Sequence, residues 1–216
     1  ESPDSELSAV KQTAARYFDL AYTYAARLEK PVLILTAGMI GSGKSYQARN
    51  LALRLGADVI RTDVLRKELL HIEPAERHPD AFGRGIYSQD MSRRTYDKAF
   101  ELASKKIAQG KAVIIDASFR SRADRALAVD LANKLKIPFY FIECVCPDEV
   151  VKTRLEKRKM ETDNPSDGRW EILQEQKKHY ETVDEIPAAN YFKVDTSETP
   201  ELRRQEIVRA IKTADV

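Results

Sequence analysis

Eight residues carry the most specific chemical signal in the chain. Gly38-Met39-Ile40-Gly41-Ser42-Gly43-Lys44-Ser45 fits the pattern G-x-x-x-x-G-K-S/T, a loop whose backbone N–H groups wrap nucleotide phosphates. Within it Gly38, Gly41, Ser42 and Gly43 form the cradle, and Tyr46, the next residue, is grouped with them as a nucleotide contact. The Lys44 ammonium is expected on the β- and γ-phosphates, and the Ser45 hydroxyl on Mg²⁺. A helix beginning here adds its positive dipole end.

Two carboxylates stand at the ends of apolar runs. Asp116 follows Ala112-Val113-Ile114-Ile115, and a carboxylate there can hold Mg²⁺ directly or through water. The competing structural role, a helix cap, is better filled by Ser121. Asp63 follows Val59-Ile60-Arg61-Thr62 and precedes Arg66 by three residues, one turn of a helix. It could take the proton of an attacking hydroxyl, or cap the helix that contains Leu65 and Leu69; the spacing is compatible with both.

Arginines form three groups: Arg120, Arg122 and Arg125 after Asp116; Arg154 and Arg158 one turn apart; and Arg169 beyond a polar break at 161–168. Phosphoryl transfer needs movable positive charge over the transferred group, and a helix–loop–helix lid over about 154–170 would supply it. A solvated, salt-bridged helix face is the alternative. His71, His78 and His179 are too scattered for a ligand set or a triad, and Trp170 and Tyr180 read as a helix packing face. Tyr87, Arg93, Arg94 and Tyr96 read as surface helix, with the border of an acceptor pocket as the alternative.

The elements that must position these groups alternate. Strands are expected at 32–37, 59–62, 112–115, 138–145 and 191–194, with helices after each; Arg122 to Leu135 and Arg169 to Thr182 are among them. Residues 71–86, with Pro74, Pro79, Gly83 and Gly85, read as a long loop of the kind that binds ligands. This alternation implies a five-stranded parallel sheet covered by helices on both faces, with ligands beyond the carboxyl ends of the strands. Ahead of the sheet, Leu7, Val10, Ala14, Tyr17, Ala21, Tyr24 and Leu28 form one helical stripe. It is expected either to pack on the domain at 31–216 or, as a linker over 1–30, to join it to an upstream domain.

Composition bounds the function class. Of the 216 residues 43% are hydrophobic and 32% charged, a globular balance, and the longest apolar run is far too short to span a membrane. A net charge of +2 argues against an extended nucleic-acid surface, though not against a local phosphate pocket. Cys144 and Cys146 are expected to be reduced structural residues, and a cytoplasmic location follows from the lack of a signal peptide.

Taken together, these motifs resemble the P-loop kinases, in the branch that holds polynucleotide 5′-hydroxyl kinases, zeta-toxin-like kinases and small-molecule kinases. Asp116-Ala117-Ser118-Phe119-Arg120-Ser121-Arg122-Ala123-Asp124-Arg125 resembles that branch's D-A-T-N-x-x-R-x-x-R segment, with Ser118 and Phe119 in place of its Thr and Asn. The resemblance implies a P-loop NTPase three-layer sandwich with a helical lid, and Ser118, Arg122 and Arg125 on the acceptor side. It implies that Asp63 is the base, that Arg66 holds the acceptor, that Arg154 and Arg158 are lid arginines contacting the donor, and that Thr196 lies near the adenine. More narrowly, I-R-T-D-V-L-R-K at 60–67, R-R-T-Y at 93–96 and I-D-A-S-F at 115–119 are similar to the C-terminal ATP-binding domain of bacterial proteins that also carry an aminoglycoside-phosphotransferase-like domain. The expected function is transfer of the ATP γ-phosphate, with Mg²⁺, to a hydroxyl of a small molecule, nucleoside or polynucleotide 5′ end. The alternative is an ATP-binding regulatory module coupled to an upstream domain.

Overall fold

Five short apolar stretches become strands because each is rich in β-branched and aromatic residues and is bounded by turn formers. They are β1 (Leu33–Ala37), β2 (Asp58–Arg61), β3 (Val113–Asp116), β4 (Phe139–Val145) and β5 (Tyr191–Asp195). Between them run α1 (Lys44–Leu55), α2 (Thr62–Leu69), α3 (Gln89–Ala108), α4 (Arg122–Leu135), α5 (Asp148–Lys159), α6 (Trp170–Lys178) and α7 (Glu201–Thr213). The computed structural model describes residues 10, 11, 13, 14, 17, 18, 21, 26–73, 76, 83–159, 170–198 and 201–213. The break at 161–168 and Arg169, with the middle of the expected lid, lie outside the described residues, as do Leu7 and Tyr24.

All strand pairs are parallel, in the order β2-β3-β1-β4-β5. This is the P-loop NTPase sandwich of three layers. Alternation along β1 sends Leu33 and Leu35 to one face, where Ala99, Ala103, Ala128 and Ala132 of α3 and α4 cover them. Ile34 points to the other face, among Leu51 and Leu55 of α1 and Ile207 and Ile211 of α7. A third, smaller cluster of Val151, Leu155 and Leu173 seats α5 and α6 against Met39 and Ile40 of the glycine-rich loop.

Register then fixes the site. Thr36 of β1 pairs with Asp116 of β3, and Arg61 of β2 pairs with the same Asp116. The carboxyl ends of three adjacent strands therefore meet at one level, where the connection from β1 leaves toward β2 while those from its neighbours β3 and β4 leave the other way. Of the leading stripe, Leu28 joins the core beside α1, whereas Val10, Ala14, Tyr17 and Ala21 are exposed. Among the described residues no helix is long and apolar enough to cross a membrane.

Two boundaries differ from expectation. β2 ends at Arg61, so Thr62 and Asp63 open α2, and the Thr62 hydroxyl donates to the Asp116 carbonyl at 3.1 Å. The helix expected over 169–182 ends at Lys178, because residues 181–185 leave it to meet arginines of α4. Tyr180 is accordingly not on a helix face; its hydroxyl donates to Glu143.

Candidate active site

The glycine-rich loop is folded by contacts that admit little beyond glycine at Gly38, Gly41 and Gly43. Gly38 has φ 132°, and a Cβ there would meet the Cys144 carbonyl oxygen at 2.3 Å. Gly43 has φ 87°, and its Cβ would press on the Thr196 side chain at 3.0 Å. Gly43 is also the N-cap of α1 and offers no side-chain acceptor; Tyr46 N–H turns back to the Gly43 carbonyl, and the Lys44 and Ser45 N–H groups ahead of it stay open toward an anion. Two backbone donors tie the loop down: Gly38 N–H to the Ser118 carbonyl at 3.2 Å, and Ile40 N–H to Gln176 Oε1 at 2.8 Å.

The loop borders a cavity of about 1550 Å³, large enough for a nucleotide and a second small molecule. Gly41, Gly43, Lys44, Ser45 and Tyr46 line it at the loop end; Asp63, Arg66, Asp116, Ser118, Arg120 and Arg158 line it further on. The Lys44 ammonium donates to the Met39 carbonyl at 2.8 Å. Burial holds that ammonium below its ordinary value, while Asp116 and Asp63 pull the other way and Arg158 adds to the lowering. Both carboxylates are thus within electrostatic reach of the same lysine.

Asp116 is buried, and burial pushes its carboxyl up, against the opposing influence of Lys44 and a hydrogen bond from Ser45. Thr36 donates to Oδ1 at 3.2 Å, and Arg61 Nε lies 3.6 Å from Oδ2. A hydroxyl and a carboxylate in contact, both hard oxygen donors, fit Mg²⁺, which takes one or two protein ligands and completes its shell with water and phosphate. Among the described residues there is no group of three or more His, Cys, Asp or Glu that could hold a metal ion.

Asp63 occupies the second position of α2, and the cap position belongs to Arg61, without a side-chain cap bond. The cap reading of Asp63 therefore gives way: its half-exposed carboxylate faces the cavity. Arg66 Nη1 lies 3.7 Å from Asp63 Oδ1, too far for a hydrogen bond, and the guanidinium sits 4.9 Å over the Tyr87 ring. Its Nε is buried without a hydrogen-bond partner among the described residues. The ring contact is worth about 0.5–2 kcal/mol, and an unmet buried donor costs about 1–3 kcal/mol. Arg66 is left short of partners on the wall of a cavity.

The segment after Asp116 is shaped by one left-handed residue. Phe119, at φ 42°, turns its ring into the core against Tyr96 at 5.2 Å, leaving Ser118 and Arg120 on the cavity wall. Phe119 N–H donates to the Tyr96 hydroxyl oxygen at 3.1 Å. The Phe119 and Arg120 carbonyls accept from Arg125 at 3.1 and 3.2 Å.

Several expected site residues lie elsewhere. Arg125 is fully buried, paired with Glu185 and bonded to the carbonyls of Glu181 and Thr182, so its donors are spent within the protein. Arg122 is exposed and bound to Asp184; neither it nor Arg125 borders the cavity that would hold an acceptor. Arg154 does not line the cavity either. It bonds the Gly41 carbonyl at 3.4 Å, Cys146 Sγ at 3.3 Å and both oxygens of Thr196, joining the loop to the end of β5. Thr196 donates to the Ser42 carbonyl at 2.7 Å from behind the loop. Gly38, Ser42 and Thr196 thus support the cradle from its rear. Of the two arginines expected in a lid, Arg158 lines the cavity.

Sequence reasoning left Arg120, Gln176, His179 and Glu181 out of the site, although all four line the cavity. Tyr87, Arg93 and Tyr96 line it too, and Arg94 stays outside. Arg120 was visible beside Asp116, but only the left-handed turn at Phe119 decides which neighbour faces inward.

The fold is shared with solved kinase structures. A sugar kinase from Janibacter sp. HTCC2649 superposes with a TM-score of 0.63 at 20% identity, over 86% of this chain and 96% of that one. The Mycobacterium tuberculosis APS kinase CysC, solved with AMPPNP and APS, gives 0.58 at 17%, over 85% and 98%. Chaetomium thermophilum Kti12, solved with ADP-AlF3, gives 0.63 at 16%, over 85% and 99%. In sequence, the chain is 30% identical over 126 residues to uncharacterized proteins of Mycobacterium tuberculosis (strain ATCC 25618 / H37Rv) and Mycobacterium bovis (strain ATCC BAA-935 / AF2122/97). The match takes in 58% of this chain and 25% of theirs, so the chain spans about a quarter of the length of these curated relatives. Residues 33–183, which include the glycine-rich loop, Asp63, Asp116 and Arg158, match the family described as AAA domain (AAA_33), and the chain belongs to that family.

Proposed function

We propose that the chain is an ATP-dependent phosphotransferase that moves the γ-phosphate of ATP to a hydroxyl acceptor. One observation carries the reading: Asp63 and Asp116 both act on the Lys44 ammonium within one cavity that begins at the phosphate loop. A binding switch needs the loop and the metal carboxylate. A second carboxylate, in the first turn of α2 just past the end of β2 and half-exposed to the remaining volume, suits a proton acceptor for an incoming hydroxyl.

The roles follow from the chemistry of each group. The open N–H groups at Gly43 and the start of α1 bind phosphate oxygens. Lys44 moves from the Met39 carbonyl to the β- and γ-phosphates, whose charge offsets the burial that lowers its ammonium. Ser45 and Asp116 would hold Mg²⁺, which when bound offsets negative charge on the phosphates. Asp63 accepts the hydroxyl proton as the oxygen attacks phosphorus in line with the departing ADP. Arg158 offers positive charge over the transferred group, and Arg66 orients the acceptor. Kinase relatives of the same fold, one of them solved with AMPPNP, support a nucleoside triphosphate donor. Likeness to polynucleotide and zeta-toxin-like kinases adds the expectation of a hydroxyl rather than a carboxylate as the acceptor.

Incubation with γ-labelled ATP and Mg²⁺ against sugars, sugar acids, sugar phosphates, nucleosides and 5′-hydroxyl oligonucleotides tests the reading. Transfer of label to at least one hydroxyl compound is expected. Tight ATP binding with no transfer to any of them would overturn it in favour of a regulatory nucleotide-binding module.

A further inference from the structure

The acceptor end of the cavity is built around a cation with unmet hydrogen-bonding capacity. Arg66 is 8% exposed, yet its Nε has no hydrogen-bond partner among the described residues, and Asp63 Oδ1 at 3.7 Å is outside hydrogen-bond range. Tyr87 packs under the guanidinium and fixes its plane. Arg120 borders the same cavity, placed there by the left-handed turn at Phe119 and by the Arg125 bonds that hold its carbonyl. The two guanidiniums are close enough for their charges to oppose each other, which adds to the lowering that burial imposes on Arg120.

In the phosphotransferase reading the donor phosphates are served by Lys44 and Arg158, which leaves Arg66 and Arg120 to the rest of the cavity. Along the whole cavity seven Lys and Arg side chains face four carboxylates, and of the seven Arg93 is paired with Asp97 outside it. One of those carboxylates, Asp116, belongs with the metal. A guanidinium presents parallel N–H groups that match a carboxylate or phosphate edge in a way a neutral hydroxyl cannot. Asp63 cannot be that partner and also stay free to take a proton.

Resting on the phosphotransferase reading, we propose that the acceptor is a small hydroxyl compound bearing its own anionic group, which Arg66 and Arg120 hold while Asp63 faces the hydroxyl. The anionic group is a carboxylate or a phosphate monoester; both offer the paired oxygens that the guanidinium plane requires. Arg66 touches the acceptor directly, and Tyr87 acts through Arg66 by holding it flat.

Matched acceptor pairs test the proposal: sugars against the corresponding sugar acids, and sugars against the corresponding sugar phosphates. Transfer kinetics are measured for each, with binding followed in parallel by thermal shift of the protein loaded with Mg·ADP. An anionic member is expected to exceed its neutral partner in kcat/KM by about 100-fold, in line with charge-assisted recognition by a buried guanidinium. The arm that wins separates carboxylate from phosphate. Arg66→Gln and Arg120→Gln should each raise KM for the anionic acceptor at least about tenfold, leave KM for ATP within about twofold, and shrink the anionic preference. Equal use of neutral and anionic members would overturn the anion site while phosphotransfer stood. Saturable, Arg66-dependent binding of the anionic member without transfer would support the anion site and overturn phosphotransfer. Unchanged KM for the anionic acceptor in both variants would overturn the assignment of these two arginines.

Discussion

Arg125 and Glu185, sixty residues apart in sequence, form an ion pair in which the arginine is fully buried, and the same guanidinium donates to the carbonyls of Phe119, Arg120, Glu181 and Thr182. One side chain therefore joins the segment after Asp116 to the loop after α6, and both segments line the cavity through Arg120 and Glu181.

Removing it should be costly in stability. Arg125→Met leaves Glu185 with only Arg122 Nε, at 3.9 Å, as a charged partner. It also takes the donor from the Phe119, Glu181 and Thr182 carbonyls, while Glu181 N–H still serves the Arg120 carbonyl. Breaking such a pair from its buried side costs toward the lower end of about 3–5 kcal/mol. Urea denaturation should show a loss of that size, and Arg125→Lys should recover less than half of it, since a single ammonium cannot reach the same carbonyls. A loss under about 1 kcal/mol would mean that the two segments are held by something else.

Gly38→Ala tests the loop. The added carbon would fall 2.3 Å from a backbone carbonyl of β4, which cannot swing aside, at a φ of 132° that L residues avoid. The strand or the loop must move, at about 1–3 kcal/mol of local strain. Nucleotide affinity measured by calorimetry should fall about 10-fold or more while the circular dichroism of the sheet persists.

The pH dependence of the nucleotide-free protein follows from Asp116. Burial raises its folded-state carboxyl above the unfolded value, so the fold favours the protonated form. That contribution is present at low pH and is lost as pH rises from the ordinary carboxylate range through the raised value. Asp116→Asn mimics the protonated form. Its melting temperature without nucleotide should equal or exceed the wild type at pH 7, and the difference should vanish toward pH 4. Its affinity for Mg-nucleotide should fall about 10- to 100-fold. A variant that melts lower than the wild type at pH 7 would show that the Asp116 charge supports the fold.

Much of this arrangement was legible in the sequence because it is local. The α4 bounds, Arg122 to Leu135, follow from a Ser121 cap and fourfold leucines, and the glycine-rich loop needs only its own eight residues and the strand before it. What escaped depends on partners far along the chain. Arg122, Arg125, Arg154 and Arg158 look alike in sequence, yet Glu185 and Asp184 claim the first two, Thr196 claims the third, and the fourth reaches the cavity. No periodicity reveals that assignment, because the competing acceptors lie about 40 to 60 residues downstream in loops whose path is set by the sheet order. Asp63 was ambiguous for a different reason. A strand end and a helix start differ there by two residues, and the Thr62 bond to Asp116 decides it.

The proton-accepting role of Asp63 is the central claim, and Asp63→Asn measures it most directly. The substitution keeps shape and hydrogen bonding but removes the basic oxygen. With the best acceptor of the panel, transfer should fall about 10²- to 10⁴-fold, the range for loss of a general base. Binding of Mg·AMPPNP should stay within about twofold of the wild type, since the loop, Lys44 and Asp116 are untouched. Transfer at the wild-type rate by Asp63→Asn would contradict the account.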